Sequence, residues 1–220
     1  RTPTPDMVVH TASQRAGTAR KMVMELLLAD QPPRESAHDP ASELWHWAER
    51  IGQTGSRFPA RLTPKPDSSH PAIAVNLDAC IQCNLCVRAC REVQLNDVIG
   101  LAYRGHEAKI VFDFDDPMGA STCVACGECV QACPTGALME ANLLDDAGVR
   151  TEFEDRTVDT LCPYCGVGCQ TSVKVKDGKI LYIDGRDGPA NEQRLCVKGR
   201  FGFDYISHPD RLTVPLIRRD

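Results

Sequence analysis

Apolar residues recur with helical spacing near the start of the chain. From Ser13 to Asp30 they return every three to four positions, which predicts a helix, and Pro32 and Pro33 then end it. We expect one face to be buried and the opposite face to be solvated. The expected buried set is Ala19, Met22, Val23, Leu26 and Leu27, and the solvated set is Arg15, Arg20 and Lys21.

Shorter elements flank this helix. Residues 6–10 (DMVVH) are predicted to form a short strand. A second helix is predicted to start at Asp39–Pro40, an N-cap followed by proline at the first helical position, and to end near Gly52. Of Trp45 and Trp47, at least one should pack against the first helix. Residues 53–71 are rich in Pro, Ser and Gly and are typical of an extended linker.

Strand patterns appear in the second half of the chain. Val98–Tyr103 and Lys109–Phe114 are predicted to form a covering hairpin. A second hairpin is predicted from Thr171–Lys176 and Lys179–Asp184, joined by an Asp-Gly turn. Its buried face is expected to carry Val173, Val175, Ile180 and Tyr182. Residues 145–159 are predicted to be an acidic connector.

The composition restricts the possible classes of function. Only 5% of the 220 residues are aromatic, and 16 Gly and 15 Pro indicate a loop-rich chain with a modest core, so the 12 cysteines become the central question. A net charge of −5 argues against nucleic acid and anionic membrane surfaces as partners. No apolar run is long enough to span a bilayer. No export signal is visible in a chain that begins at Arg1 rather than Met.

An internal repeat organises eight of the cysteines. The stretch CIQCNLCVRAC, from Cys80 to Cys90, matches CVACGECVQAC, from Cys123 to Cys133, at every cysteine. This C-x2-C-x2-C-x3-C spacing is the bacterial ferredoxin pattern of [4Fe–4S] ligands, in which the fourth cysteine binds the other cluster. One site should therefore hold Cys80, Cys83, Cys86 and Cys133, and the other Cys123, Cys126, Cys129 and Cys90. Zinc and disulfides remain the alternatives.

The remaining four cysteines predict a third [4Fe–4S] site. Cys162, Cys165 and Cys169 lie in one loop, and the second hairpin would return Cys196 to them. Gly166 and Gly168 would keep that loop small. In the second repeat, Gly127 would allow close backbone approach to a sulfide or would be an ordinary loop glycine. A zinc ribbon is the alternative for this third site.

At this point the sequence resembles a known family. CPYCGVGC and the following LCVKGRFGFDYISHPDRLTVPLIR are similar to the start of molybdenum or tungsten bis-pterin guanine dinucleotide oxidoreductases, and within them of formate dehydrogenases. The two repeats resemble the ferredoxin-like domain of the α subunit of NAD-dependent formate dehydrogenases, which respiratory NADH dehydrogenase shares. MVVHT and the first helix look like the exit from a [2Fe–2S] domain.

The resemblance implies an α+β fold in three parts. Residues 1–69 would be a strand, a helical connector and a linker, 70–145 a ferredoxin-like domain with two [4Fe–4S] clusters, and 156–220 a small β-rich [4Fe–4S] segment that opens the catalytic domain. A [2Fe–2S] domain is expected before Arg1, and the molybdenum or tungsten bis-pterin domains after Asp220. Lys198, two positions after Cys196, matches the family's lysine between cluster and pterin; an ordinary surface lysine fits the spacing as well.

The resemblance also implies a function and partners. Electrons from formate would pass through the three clusters to a β subunit that binds FMN and NAD, and to a small [2Fe–2S] γ subunit, in the cytoplasm. No catalytic residue is expected within this chain. The family's further histidine-ligated cluster should be absent, because residues 31–47 lack cysteine and leave His38 and His46 as surface or packing residues. The alternatives are a nitrate reductase, a hydrogenase or NADH dehydrogenase iron–sulfur subunit, a stand-alone ferredoxin-type carrier and a structural zinc protein.

Overall fold

The first helix forms where the spacing predicts it. A computed structural model describes residues 2–61 and 64–219 and has α1 at Gln14–Leu28. The Ser13 hydroxyl caps α1 by accepting a hydrogen bond from the Ala16 backbone N–H at 3.3 Å. The strand predicted at residues 6–10 is wrong. These residues are irregular, and Val8 and Val9 are largely exposed, because no strand in the described parts of the chain pairs with them.

The second helix decides which face of α1 is buried. Helix α2 is Glu43–Ile51, and Trp45 packs with Met24 and Leu28 of α1, while Trp47 is exposed. The prediction that at least one tryptophan packs against α1 is confirmed. The predicted α1 face is wrong, because α2 covers a different stripe of the helix; three of its members are substantially exposed, namely Met22, Val23 and Leu26.

The predicted start of α2 is also wrong. Asp39 and Pro40 form a turn instead, in which the Asp39 carboxylate accepts a hydrogen bond from the Ala41 N–H at 3.1 Å. The predicted end is correct, since Gly52 adopts the left-handed conformation at the C-cap. Within the linker predicted at 53–71, positions 62 and 63 lie outside the described residues. The described linker residues include one isolated β-bridge, from Asp67 to Val75.

The two cysteine repeats lie between two short strands, which pair with each other and so hold the two ends of the cysteine-rich region together. Strand β1 (Ile73–Val75) precedes the first repeat and pairs with β4 (Leu138–Glu140), which follows the second. The repeats contribute the short helices α3 (Leu85–Arg88) and α4 (Glu128–Gln131). Between them, β2 (Ile99–Ala102) and β3 (Lys109–Phe112) form the predicted hairpin. Three cysteines belong to the resulting apolar core: Cys86, Cys90 and Cys129.

The last part of the chain is built on a three-stranded antiparallel sheet. Its strands are β5 (Arg156–Leu161), β6 (Gln170–Lys176) and β7 (Lys179–Gly185), in the order β5-β6-β7, followed by the short helix α5 (Val197–Phe201). The β6–β7 hairpin confirms the prediction. The acidic connector predicted at 145–159 is partly wrong, because β5 begins at Arg156; this fully exposed edge strand lacks a buried alternating face.

A register shift changes the predicted faces of the β6–β7 hairpin. The pairing slips between Lys174 and Val175, so Val175 lies opposite Ile180 while Tyr182 lies opposite Lys174. Tyr182 is therefore not on the face of Val173 and Val175, as the alternation predicts.

Candidate iron–sulfur sites

The fourth cysteine of the second repeat lies beside the first repeat. Cys80, Cys83, Cys86 and Cys133 line one pocket, together with apolar side chains that include Leu77, Ile81, Ile110 and Leu138. The helices α3 and α4 pack against each other, and the cysteine that follows each helix, Cys90 or Cys133, lies beside the loop of the other repeat.

The reciprocal arrangement holds for the second site. The Cys90 thiol lies within electrostatic range of all three cysteines of the second loop: Cys123, Cys126 and Cys129. The Val98 backbone N–H donates to the Cys90 sulfur at 3.3 Å. Cys86 also lies within electrostatic range of Cys129, so the two sites adjoin each other.

The two loops share backbone geometry as well as cysteine spacing. Gln82 and Ala125 occupy equivalent positions with φ values of 55° and 53°, although neither is glycine. Each donates its backbone N–H to the sulfur of the first cysteine of its loop, at 3.4 Å to Cys80 and 3.3 Å to Cys123. A left-handed conformation costs an ordinary residue about 1–2 kcal/mol. The surrounding structure must offset this cost to keep the turn that points these N–H groups at sulfur.

Burial shapes the chemistry of these thiols. Burial, followed by the neighbouring thiolates, raises the pKa of Cys86 to about 12 and raises the pKa of Cys129 well above its ordinary value. A buried thiolate is unfavourable unless a positive charge compensates it. Four converging cysteines of this kind fit a group that supplies several metal ions, as an iron–sulfur cluster does.

A third group of cysteines lies at one end of the three-stranded sheet. Cys162 directly follows β5, and its backbone N–H donates to the Cys169 carbonyl at 2.8 Å, which closes the loop. Gly168 takes a φ of 67° within that loop. Burial raises the pKa of the Cys169 thiol, and the nearby thiols of Cys162, Cys165 and Cys196 raise it further. Cys165 and Cys196 are exposed, unlike the core cysteines of the first two sites.

The spread of the cysteines bears on the zinc alternative. All twelve are free thiols in the structure. Within residues 2–61 and 64–219, no group of three or more Cys, His, Asp or Glu side chains is placed to hold a single metal ion. Metal analysis together with acid-labile sulfide separates a zinc site from an iron–sulfur cluster.

Sequence reasoning missed a buried arginine between the second and third sites. Arg200 lies on α5 and is 1% exposed. Its guanidinium donates to the Cys126 carbonyl at 3.2 Å and to the Glu128 carboxylate at 3.0 Å. The sequence contained one sign of this contact. Glu128 in the second repeat occupies the position of Leu85 in the first repeat, and Leu85 is exposed.

Gly127 lies against the Arg200 side chain. It has a φ of 75°, and a Cβ there would lie 2.7 Å from the Arg200 side chain. The close approach that this glycine shows is therefore to arginine.

Lys198 lies close to the third site. It is exposed, and its Nζ is 6.0 Å from the centre of the Tyr164 ring. Lys198, Tyr164 and Cys162 line one pocket beside the sheet. The lysine is thus placed next to a site cysteine.

Two family descriptions match the cysteine-containing regions. Residues 79–137 match the "4Fe-4S dicluster domain", and residues 155–208 match the "Molybdopterin oxidoreductase Fe4S4 domain". The chain is therefore an iron–sulfur protein module. It combines a dicluster domain with the Fe4S4 domain found in molybdopterin oxidoreductases, and its similarity to known proteins is at the level of these families.

Two relatives align with most of this chain. A protein of Staphylococcus haemolyticus named "Putative formate dehydrogenase" is 32% identical over 81% of this chain and 22% of its own length. A protein of Rhizobium meliloti that is named as one of the subunits of NADH-quinone oxidoreductase is 35% identical over 97% of this chain and 25% of its own length. The chain thus spans about a quarter of these relatives.

A solved structure shares the fold. The chain resembles one from an NAD+-reducing [NiFe]-hydrogenase, with a TM-score of 0.53, 25% identity, and coverage of 64% of this chain and 60% of the other. In the described parts of this chain, no helix has both the length and the apolarity to cross a bilayer.

Proposed function

We propose that this chain carries electrons through three [4Fe–4S] clusters. The first cluster would be bound by Cys80, Cys83, Cys86 and Cys133, the second by Cys90, Cys123, Cys126 and Cys129, and the third by Cys162, Cys165, Cys169 and Cys196. The convergence of Cys133 with the first loop is the observation that carries the proposal. A linear C-x2-C-x2-C loop supplies only three ligands, and this exchange supplies the fourth.

The three proposed domains would place the clusters in series. The dicluster domain, 70–145, adjoins the helical connector, 1–69, through the Leu44 N–H, which donates to the Pro134 carbonyl at 3.1 Å. It adjoins the last domain, 156–220, through Arg200. Cys86 and Cys129 connect the first two sites, and Arg200 connects the second to the third. The role of this protein is then to fix cluster spacing and to adjust potentials by hydrogen bonding and burial.

The electron source that we propose is formate. The relatives named for formate dehydrogenase and the match to the molybdopterin oxidoreductase Fe4S4 domain support it. A bis-pterin centre of molybdenum or tungsten elsewhere in the complete protein would supply the oxidation chemistry. Electrons would leave through the third site, with Lys198 placed beside it, and reach FMN and NAD on partner subunits.

A second candidate has an observation in its favour. The NADH-quinone oxidoreductase relative aligns over 97% of this chain, more than the formate-named relative does. The chain would then belong to the iron–sulfur subunit of an NADH-oxidising complex or a hydrogenase, and electrons would enter from another donor.

Anaerobic purification of the complete protein tests both proposals. The three clusters contribute about twelve iron atoms and twelve acid-labile sulfides, to which a [2Fe–2S] cluster in the complete protein would add about two of each. Formate should reduce all three, as followed by electron paramagnetic resonance, while NADH in the absence of partner subunits should not. Zinc without sulfide would exclude the electron-transfer role, and full cluster content with no response to formate would favour the second candidate.

A further inference from the structure

A buried cluster of charges lies where the dicluster domain meets the last domain. Arg200 of α5 is enclosed, and Glu128 of α4 is 6% exposed. Their contact, between Nη2 and Oε1 at 3.0 Å, crosses from one domain to the other. Buried charges are costly unless they are paired and hydrogen-bonded, so Arg200 and Glu128 must keep their contact and their other hydrogen bonds for the junction to be stable.

Arg200 makes hydrogen bonds to the dicluster domain and to the last domain. Towards the second site, its Nε donates to the Cys126 carbonyl at 3.2 Å. Towards the last domain, its Nη1 donates to the Ile183 carbonyl at 3.1 Å and approaches the Asp184 carboxylate at 3.4 Å. Its own backbone N–H donates to the Cys196 carbonyl at 3.1 Å. One residue thus contacts a proposed ligand of the second cluster and a proposed ligand of the third.

The surroundings are shaped for this guanidinium. Any side chain at Gly127 would collide with it, as the 2.7 Å approach to a Cβ shows. Glu128 has a second contact with the last domain, because its Oε1 also accepts the Leu195 N–H at 2.8 Å. Only arginine has a planar set of donors that can reach several acceptors at once, and a lysine amine in this place would lose several of them.

We infer that Arg200 is a positioning residue that fixes the second cysteine site against the third, and that the Arg200–Glu128 pair sets the electrostatic field between them. This inference rests on the proposed function, since it requires clusters at both sites. Reduction adds one negative charge to a cluster. A buried arginine favours the reduced state and a buried glutamate opposes it, and little solvent is present to screen either.

Glu128→Gln tests the electrostatic part. The amide keeps an oxygen that can accept from Arg200 and Leu195, while the arginine stays charged because guanidinium does not deprotonate in proteins. We expect the electron affinity of the second or third cluster to rise about tenfold, a positive shift of 59 mV for one electron. The readout is an anaerobic redox titration of the complete protein followed by electron paramagnetic resonance. Glu192→Gln is the matched control, since Glu192 is exposed and pairs with Arg194 at 3.5 Å.

Arg200→Lys tests the positioning part. The charge remains but the set of hydrogen bonds does not, so the junction should loosen. We expect amide hydrogen exchange in the peptide containing Leu195 to accelerate at least tenfold, while peptides of the β2–β3 hairpin stay unchanged.

Unchanged potentials in Glu128→Gln, with exchange at Leu195 unchanged in Arg200→Lys, would overturn the inference even if both variants hold all their clusters. Wild-type protein without a second or third cluster would instead contradict the proposed function. If Arg200→Lys fails to fold, the potential of Glu128→Gln still decides the matter.

Discussion

The imidazole of His38 lies 3.0 Å from both carboxylate oxygens of Asp78, two residues before the first cysteine. Its other ring nitrogen is 2.6 Å from the Gly148 carbonyl. The helical connector is thereby joined to the first cysteine loop and to the segment that follows β4. The sequence predicts that His38 is a surface or packing residue, and the structure shows that it is buried and packed.

This pair should make stability depend on pH. Burial alone would lower the pKa of His38, but the hydrogen bonds to Asp78 and Gly148 and the Asp78 charge raise it overall. The folded state therefore holds the proton more tightly than the unfolded chain. The stabilisation is complete below the ordinary pKa of 6.5 and is lost as pH rises through the raised folded value.

His38→Ala should remove this dependence and cost about 1–3 kcal/mol of unfolding free energy at low pH, because a half-buried carboxylate loses its partner. Anaerobic unfolding midpoints from pH 5.5 to 8 would measure both effects. His46→Ala is the control, since His46 is exposed on α2. Parallel pH profiles for wild type and His38→Ala would contradict the assignment.

Cys90→Ala should damage the site of the other repeat. The structure places Cys90 with the second loop, so we expect the second cluster to lose its signal or convert to a three-iron form, while the first cluster survives. Iron content and electron paramagnetic resonance report this directly. Arg91→Ala, which removes only an exposed ion pair with Asp97, serves as the neighbour control. Selective loss of the first cluster would refute the crossed ligation.

Cys165→Ala should separate the third site from the first two. Cys165 is an exposed residue of the loop after β5, away from the dicluster core. We expect about four iron atoms per chain to be lost, with the dicluster spectrum intact but no longer reducible by formate in the complete protein. Simultaneous loss of all three signals would show that the sites are not independent.

Trp45 and Trp47 should differ sharply in their contribution to stability. Trp45 is buried against α1 and only 4% exposed, whereas Trp47 is 45% exposed. Trp45→Ala should cost about 3–5 kcal/mol through the cavity that it leaves. Trp47→Ala should cost about 0.5 kcal/mol, as most surface substitutions do. Denaturant midpoints compare the two, and equal losses would disprove the packing of α2 on α1.

Local patterns predicted much of this fold. The β2–β3 and β6–β7 hairpins follow from alternation and turn residues, which act over a few positions. The positions of Cys90 and Cys133 also follow from the repeat. A C-x2-C-x2-C loop cannot fold back to the fourth cysteine of its own repeat, so that cysteine lies beside the other loop. These features depend little on distant residues.

The errors arose where distant packing decides the outcome. Met22 and Met24 both fit a helical stripe, and only the position of Trp45 shows which is covered. Strand β5 has no buried face of its own and forms through pairing with β6. Arg200 looks like an ordinary charged residue until α5 packs beside Gly127.

The exchange of cysteines has a consequence for biosynthesis. Under the proposed ligation, a nascent chain that ends before Cys123 holds three ligands for one cluster and a single ligand for another. Neither cubane can be completed until the second repeat leaves the ribosome, and β4 must then pair with β1 to close the domain. Both cluster sites would therefore become complete at the same time, after this region has been translated. The two clusters would then be inserted into a nearly folded domain.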